Sequence, residues 1–249
     1  MSTNRFFVEE SSIEGNFVRL NAEQAHQICH VLRLEPGAAL VVLDNAGFEY
    51  DVRLQEANSR QANGLITGKR LASGEPRRQI TLFQSLLARD KFERVLQKGT
   101  EVGVSRFVPV QTDRSLMRAK QIDAKKITRW RRILQEAAEQ SHRGRIPEIG
   151  QALALADALA RFGQYDRVLI GALCDGSPTL REALVKDGRT PASVAILIGP
   201  EGGFTEQEVA LAEEKGAVTI GLGPRILRTE TAAMVLPALV LYELGEMEP

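Results

Sequence analysis

Ile196-Leu-Ile-Gly-Pro-Glu-Gly-Gly-Phe-Thr205 runs from an apolar strand into a glycine-rich turn and on into a helix. Thr205 and Glu208 have the three-residue spacing of a capping box, in which two side chains reciprocally satisfy backbone N–H groups at a helix start. Gly199, Gly202 and Gly203 allow close backbone approach to a ligand or positive φ, and N–H groups exposed there can hold an anion or a carboxylate. No Gly-Lys-Ser/Thr follows, so the turn is not a Walker loop. It reads either as a ligand-binding turn or as a plain strand–helix connection.

Downstream, Ile220-Gly-Leu-Gly-Pro-Arg-Ile-Leu-Arg-Thr-Glu-Thr-Ala-Ala233 is a second strand that ends in glycines before an apolar helix. Ile226 stands where a dinucleotide fingerprint needs its third glycine, which makes a Rossmann reading weak. Arg225 and Arg228 lie near the strand end, where a phosphate would sit. Two glycine-bearing turns after two successive strands are expected to lie side by side in a parallel sheet, where together they could enclose one adenosine-sized ligand.

Upstream, apolar runs at 80–87, 106–110, 167–173, 194–198 and 218–222 alternate with helical patterns at 91–102, 123–142, 179–186, 206–215 and 231–244. That alternation predicts an α/β domain whose parallel sheet is covered on both faces, with ligands at the carboxyl ends of its strands. Before residue 74 the period changes. Short runs at 16–20, 39–44, 48–54 and 64–69 predict a β-rich domain, interrupted by one helix capped by Asn21 and carrying Ala25, Ile28, Cys29 and Leu32 on one face. The polar stretch Ala72-Ser-Gly-Glu-Pro-Arg-Arg78 separates the two, giving domains at 1–73 and 74–249.

The chain has 249 residues, 43% hydrophobic and 26% charged, with a net charge of zero. The zero conceals an asymmetry. Residues 114–145 hold ten Lys/Arg against three Asp/Glu, a net of +7, and residues 146–249 hold eight against fifteen, a net of −7. A basic stretch on a neutral protein fits either a polyanion or a solvated helix face. Trp130 is its only aromatic, which disfavours a stacking platform for single strands. The absence of a signal-like N-terminus and of an apolar run near the roughly 20 residues that span a bilayer, with Cys29 and Cys174 far apart, predicts a cytoplasmic protein with free thiols and no membrane contact.

Glu136, Gln140 and Arg143 share one helix face at i, i+4 and i+7; that stripe looks into a site or is a surface stripe with a Glu139–Arg143 pair. His26, Cys29 and His30 have a spacing that suggests a metal, but a zinc site needs further ligands and no second cluster exists. A packed helix, with no metal, is the expectation.

The two glycine motifs, together with Gln97-Lys-Gly-Thr-Glu-Val-Gly-Val104, Glu136-Ala-Ala-Glu-Gln-Ser-His-Arg143 and His30-Val-Leu-Arg33, resemble the motifs of the ribosomal RNA small subunit methyltransferase E family, in order over nearly the whole chain. The resemblance implies a PUA-like β-barrel at 1–73 and, at 74–249, a SPOUT methyltransferase domain with a C-terminal trefoil knot. It further implies a homodimer that uses S-adenosyl-L-methionine (SAM) to methylate N3 of a uridine in the 16S rRNA of the small ribosomal subunit. SAM is then expected on Ile198, Gly199, Pro200, Glu201, Gly202 and Gly203, and on Leu222, Gly223, Ile226, Leu227, Arg228 and Thr231. For catalysis, Arg228 or Arg143 would stabilise charge on the uracil oxygens, and Glu230 or Glu136 would take the N3 proton. RNA is expected on Arg33, Arg89, Lys125, Lys126, Arg129 and Arg132. The family usually has Lys-Gly-Asp where this chain has Ala88-Arg-Asp90, so Arg89 is the candidate to replace the lysine. The rival readings are a SPOUT enzyme for another RNA or atom, and a non-catalytic RNA-binding assembly factor.

Overall fold

The computed structural model describes residues 4–172, 176–185 and 188–248. Cys174, Leu173 and Lys186, which enter the expectations above, lie outside them. The chain forms two compact units, Met1–Glu75 with Ala138–Ile146, and Pro76–Ala137 with Pro147–Pro249. The return of 138–146 to the first unit has no counterpart in a linear division at 73/74.

In the first unit, β1 (Arg5–Phe7), β2 (Ile13–Glu14), β3 (Phe17–Leu20), β4 (Ala39–Leu43), β5 (Phe48–Ala57) and β6 (Ala62–Leu71) form one sheet in the order β1-β4-β5-β6-β3-β2. Alternate residues such as Leu40, Val42, Val52 and Leu54 point to one side and bury a single core with Ile28 and Ala25. These last two come from the expected helix. Asn21 Oδ1 accepts the Gln24 N–H at 2.9 Å and Gln24 Oε1 accepts the Asn21 N–H at 3.0 Å. The helix is α only over α1 (Ala22–His26); it then widens to a π-helix at Gln27–Val31, and Arg33 has φ 52°.

The returning segment is tied in by side chains. Glu139 accepts the Phe7 N–H at 3.0 Å, Arg145 donates to the Ala46 carbonyl at 2.7 Å, and Asn45 accepts the Ile146 N–H at 2.7 Å. Arg143, 2% exposed, makes a bidentate pair with Glu75 at 3.0 and 2.9 Å.

The second unit alternates strands and helices as its pattern predicts: β7 (Gln79–Ser85), α2 (Lys91–Val102), β8 (Arg106–Gln111), α3 (Ala124–Gln140, its last turn within the first unit), β9 (Glu148–Ile149), β10 (Leu153–Ala154), α4 (Leu155–Leu159), β11 (Arg167–Gly171), α5 (Leu180–Leu184), β12 (Ser193–Ile198), α6 (Glu206–Glu214), β13 (Val218–Ile220) and α7 (Thr229–Glu243). Every strand pair described in this sheet is parallel, in the order β10-β8-β7-β12-β11-β13, with β9 also on β8. Val194, Ile196 and Ile198 alternate with Ala195 and Leu197 along β12, and all five are buried, so both faces of this central strand are covered. Trp130 of α3 is 1% exposed and stacks on Phe92 of α2 with ring centroids 4.5 Å apart.

The topology corrects one expectation. β12 and β13 are not neighbours, because β11 pairs with both and lies between them. The connection from β12 to β13 therefore crosses over β11, and the two glycine turns meet above that strand's carboxyl end instead of side by side.

Candidate functional site

Both glycine loops contribute to one cavity of about 810 Å³ in the second unit. The first loop supplies Ile198 to Phe204, the second Ile226 to Glu230, and β11 supplies Gly171 and Ala172 between them. Gly171 packs closely there, a Cβ coming within 2.7 Å of Ile198 Cδ1, so a larger residue would need that side chain to shift. Of the first loop's glycines only Gly203 has positive φ, 68°; Gly199 instead admits the Phe204 ring and Gly202 the Arg114 side chain, at 3.1 and 3.2 Å from where a Cβ would stand.

Three sets of interactions set the loops. Beyond the first loop, Thr205 and Glu208 form the expected capping box, at 3.2 and 2.8 Å, and the other Glu208 oxygen accepts the Asp113 N–H at 2.9 Å. Arg114 donates to the carbonyls of Gly202 and Phe204 at 2.8 and 3.3 Å. Beneath the loops, fully buried Gln84 donates to the Gly199 carbonyl at 3.4 Å and to Thr229 Oγ1 at 3.3 Å, while Thr229 Oγ1 donates to the same carbonyl. The amide at the end of β7 thus joins the first loop to the start of α7.

A second junction lies at the cavity wall. Glu201 Oε1 accepts the Ala88 N–H at 3.3 Å and lies 3.2 Å from Lys91 Nζ; Glu230 Oε2 lies 4.0 Å from the same ammonium. Glu201 Oε2 and Glu230 Oε2 are buried and accept no hydrogen bond. Burying a carboxylate oxygen without a donor is costly, so N–H or O–H groups of a ligand would be favoured there.

Of the sequence candidates, Ile198, Gly199, Pro200, Glu201, Gly202, Gly203, Ile226, Leu227, Arg228 and Glu230 line this cavity. Leu222, Gly223 and Thr231 are not in its lining, although Gly223, φ 85°, turns the second loop. Glu136 and Arg143 are not in the lining either. The i, i+4, i+7 stripe does not form, because α3 ends at Gln140 and His142 has φ 62°, which takes Arg143 off the helix and into its pair with Glu75. Glu136 is exposed and paired with Arg132 at 2.7 Å. Lys91, Arg114 and Phe204 also line the cavity and Gln84 lies beneath it, although the sequence motifs give them no role.

The basic candidates have varied surroundings. Arg33 and Lys125 are exposed. Lys126 Nζ lies 3.4 Å from Met117 sulfur, and Arg129 is held charged by its hydrogen bond to Glu93 at 2.7 Å. Arg89 is exposed with φ 59°. A non-glycine residue in that region costs about 1 kcal/mol. Arg89→Gly is therefore expected to hold or raise stability by up to about 1 kcal/mol; a loss above about 1 kcal/mol in chemical denaturation would contradict this geometry. His26 and His30 are exposed with ring centroids 4.6 Å apart, and among the described residues no three His, Cys, Asp or Glu gather as a metal site. No helix among them is long and apolar enough to cross a membrane.

A family model for the RNA methyltransferase domain matches residues 74–241, and one for the RNA methyltransferase PUA domain matches 20–67. These define the class: a SPOUT-type α/β methyltransferase domain behind a PUA-like β domain. The ribosomal RNA small subunit methyltransferase E of Bacillus subtilis is 32% identical over 246 residues, 96% of each chain, and that of Aquifex aeolicus is 29% identical over 95% of this chain and 98% of its own. A crystal structure of the Neisseria gonorrhoeae ribosomal RNA small subunit methyltransferase E bound to S-adenosyl methionine superposes with a TM-score of 0.86 at 30% identity, covering 97% of this chain and 98% of that one. The chain belongs to the ribosomal RNA small subunit methyltransferase E family.

Proposed function

We propose that the chain transfers a methyl group from SAM to N3 of a uridine in 16S rRNA, acting in the cytoplasm as a homodimer whose domains divide at 73/74 and whose C-terminal loops are knotted. The observation that carries this reading is the convergence of two glycine loops over β11, with Arg228 and Glu230 at the same cavity. Its volume lies in the range of small-molecule sites, about 300–1,000 Å³. The glycine-lined backbone and the undonated oxygen of Glu201 suit a ligand bearing an ammonium, an amine and hydroxyls. Bound there, SAM supplies an electrophilic methyl group.

The remaining steps belong to the protein's own residues. N3 of uracil carries an imide proton on the base's pairing edge, so the nucleotide must be unpaired or flipped out. Glu230 accepts that proton, and exposed Arg228, whose guanidinium has no partner among the described residues, stabilises the charge that develops on the uracil oxygens. Glu136, bound to Arg132 on the surface, and Arg143, consumed by Glu75, are left out of this assignment. RNA is held by Arg33, Arg89, Lys125, Lys126, Arg129 and Arg132. The second copy covers the apolar side chains exposed on and near α7: Ile226 (81%), Leu239 (40%) and Tyr242 (65%).

Calorimetric titration tests the cofactor assignment: one SAM binds per chain, and no binding at millimolar SAM contradicts it. For the RNA assignment, replacing Lys125, Lys126, Arg129 and Arg132 together with Ala weakens RNA binding and reduces the slope of log K against log salt by about 2–4. An unchanged slope would remove these residues from the interface.

A further inference from the structure

Lys91 is unusual in two ways. It is a cation in the first position of the twelve-residue helix α2, where the helix dipole disfavours positive charge. It also lies two residues after Arg89, a non-glycine residue held at φ 59°. Two locally unfavourable choices within three residues persist only where the surrounding structure fixes them, and such positions cluster at functional sites. Here both serve one result. The turn at 88–90 brings the Ala88 N–H and the Lys91 ammonium to the same oxygen of Glu201, at 3.3 and 3.2 Å, and leaves that ammonium 4.0 Å from Glu230. Glu201 belongs to the first loop and Glu230 to the first turn of α7. Without a cation between them, two carboxylates on one cavity wall repel.

We propose that Lys91 is a positioning residue of methyl transfer: its ammonium bridges Glu201 and Glu230, fixes the first glycine loop against α7, and holds the Glu230 carboxylate toward the base. This inference rests on the reading of Glu230 as the proton acceptor. It assigns Lys91 no contact with the reacting atoms. The Gln84 junction joins the same two segments from below through Gly199 and Thr229, so the fold survives the loss of Lys91, and what is lost is the placement of the carboxylate.

The test compares Lys91→Met and Lys91→Arg with the full-length wild type. In Lys91→Met, kcat for labelled methyl transfer to RNA falls about 10- to 100-fold, the size of effect that a displacement near 1 Å produces. RNA affinity and melting temperature stay close to wild type. Hydrogen exchange of the 199–204 amides quickens, a readout that needs no activity. Lys91→Arg, which keeps the charge, recovers kcat to within about threefold. A Lys91→Met chain with wild-type kcat, or with unchanged exchange in that loop, overturns the proposal, as does loss of activity only in proportion to loss of folded protein. A wild-type chain that binds RNA but transfers no methyl group from SAM refutes the reading of the site itself, a different outcome from an inert Lys91→Met.

Discussion

Glu230→Gln is expected to lower kcat for methyl transfer by about 10²- to 10⁴-fold, the usual contribution of a positioned general base, with SAM affinity within about threefold of wild type. The amide preserves the shape of the side chain and one acceptor oxygen but has negligible affinity for a proton. Glu230 sits in the first turn of α7, in the cavity lining, with Oε2 buried and accepting no hydrogen bond. Glu136, the other carboxylate that the helix pattern recommends, faces solvent and holds Arg132. Glu136→Gln should therefore leave kcat within about twofold. Single-turnover assays on the two variants decide between them; near-normal turnover in Glu230→Gln, or a deep loss in Glu136→Gln, would move the proton acceptor elsewhere.

Trp130→Ala is expected to destabilise the second unit by about 3–5 kcal/mol, the range for truncating a buried large aromatic side chain. Trp130 stacks on Phe92, one residue after Lys91 on α2, and α2 in turn packs on α7. The substitution removes the contact through which α3 fixes the helix that presents Lys91. Urea unfolding followed by far-UV circular dichroism measures it, since the variant lacks the chain's only tryptophan. A loss below about 1 kcal/mol would mean that α3 is not anchored through this ring.

Much of this architecture can be read from the chain, because local signals dominate where loops are short. The strand–turn–helix at 196–205, its Thr205–Glu208 box and the Asn21 cap involve partners three residues apart, and each forms as its spacing predicts. What could not be read depends on distance in sequence. That β11 inserts between β12 and β13 is a matter of tertiary pairing, and no periodicity reports strand order. Arg143 looks like the end of a helical stripe until its partner Glu75, 68 residues away, is known. β1 has three residues, too few to show alternation, and its parallel pairing with β4 has no local signature. Lys91 is the instructive omission. As a charged residue at a helix start it reads as solvated surface, yet Arg89, two residues before it and held at φ 59°, belongs to the turn that aims it. The conformation of that turn is a tertiary property that residue type alone does not report.

The proposed reaction can be observed directly. Purified protein is incubated with methyl-labelled SAM and 30S subunits that lack the modification, and the labelled nucleoside is identified by mass spectrometry. The expected product is N3-methyluridine at a single position of 16S rRNA; label in any other nucleoside, or none despite demonstrated binding of both SAM and RNA, would contradict the proposed reaction.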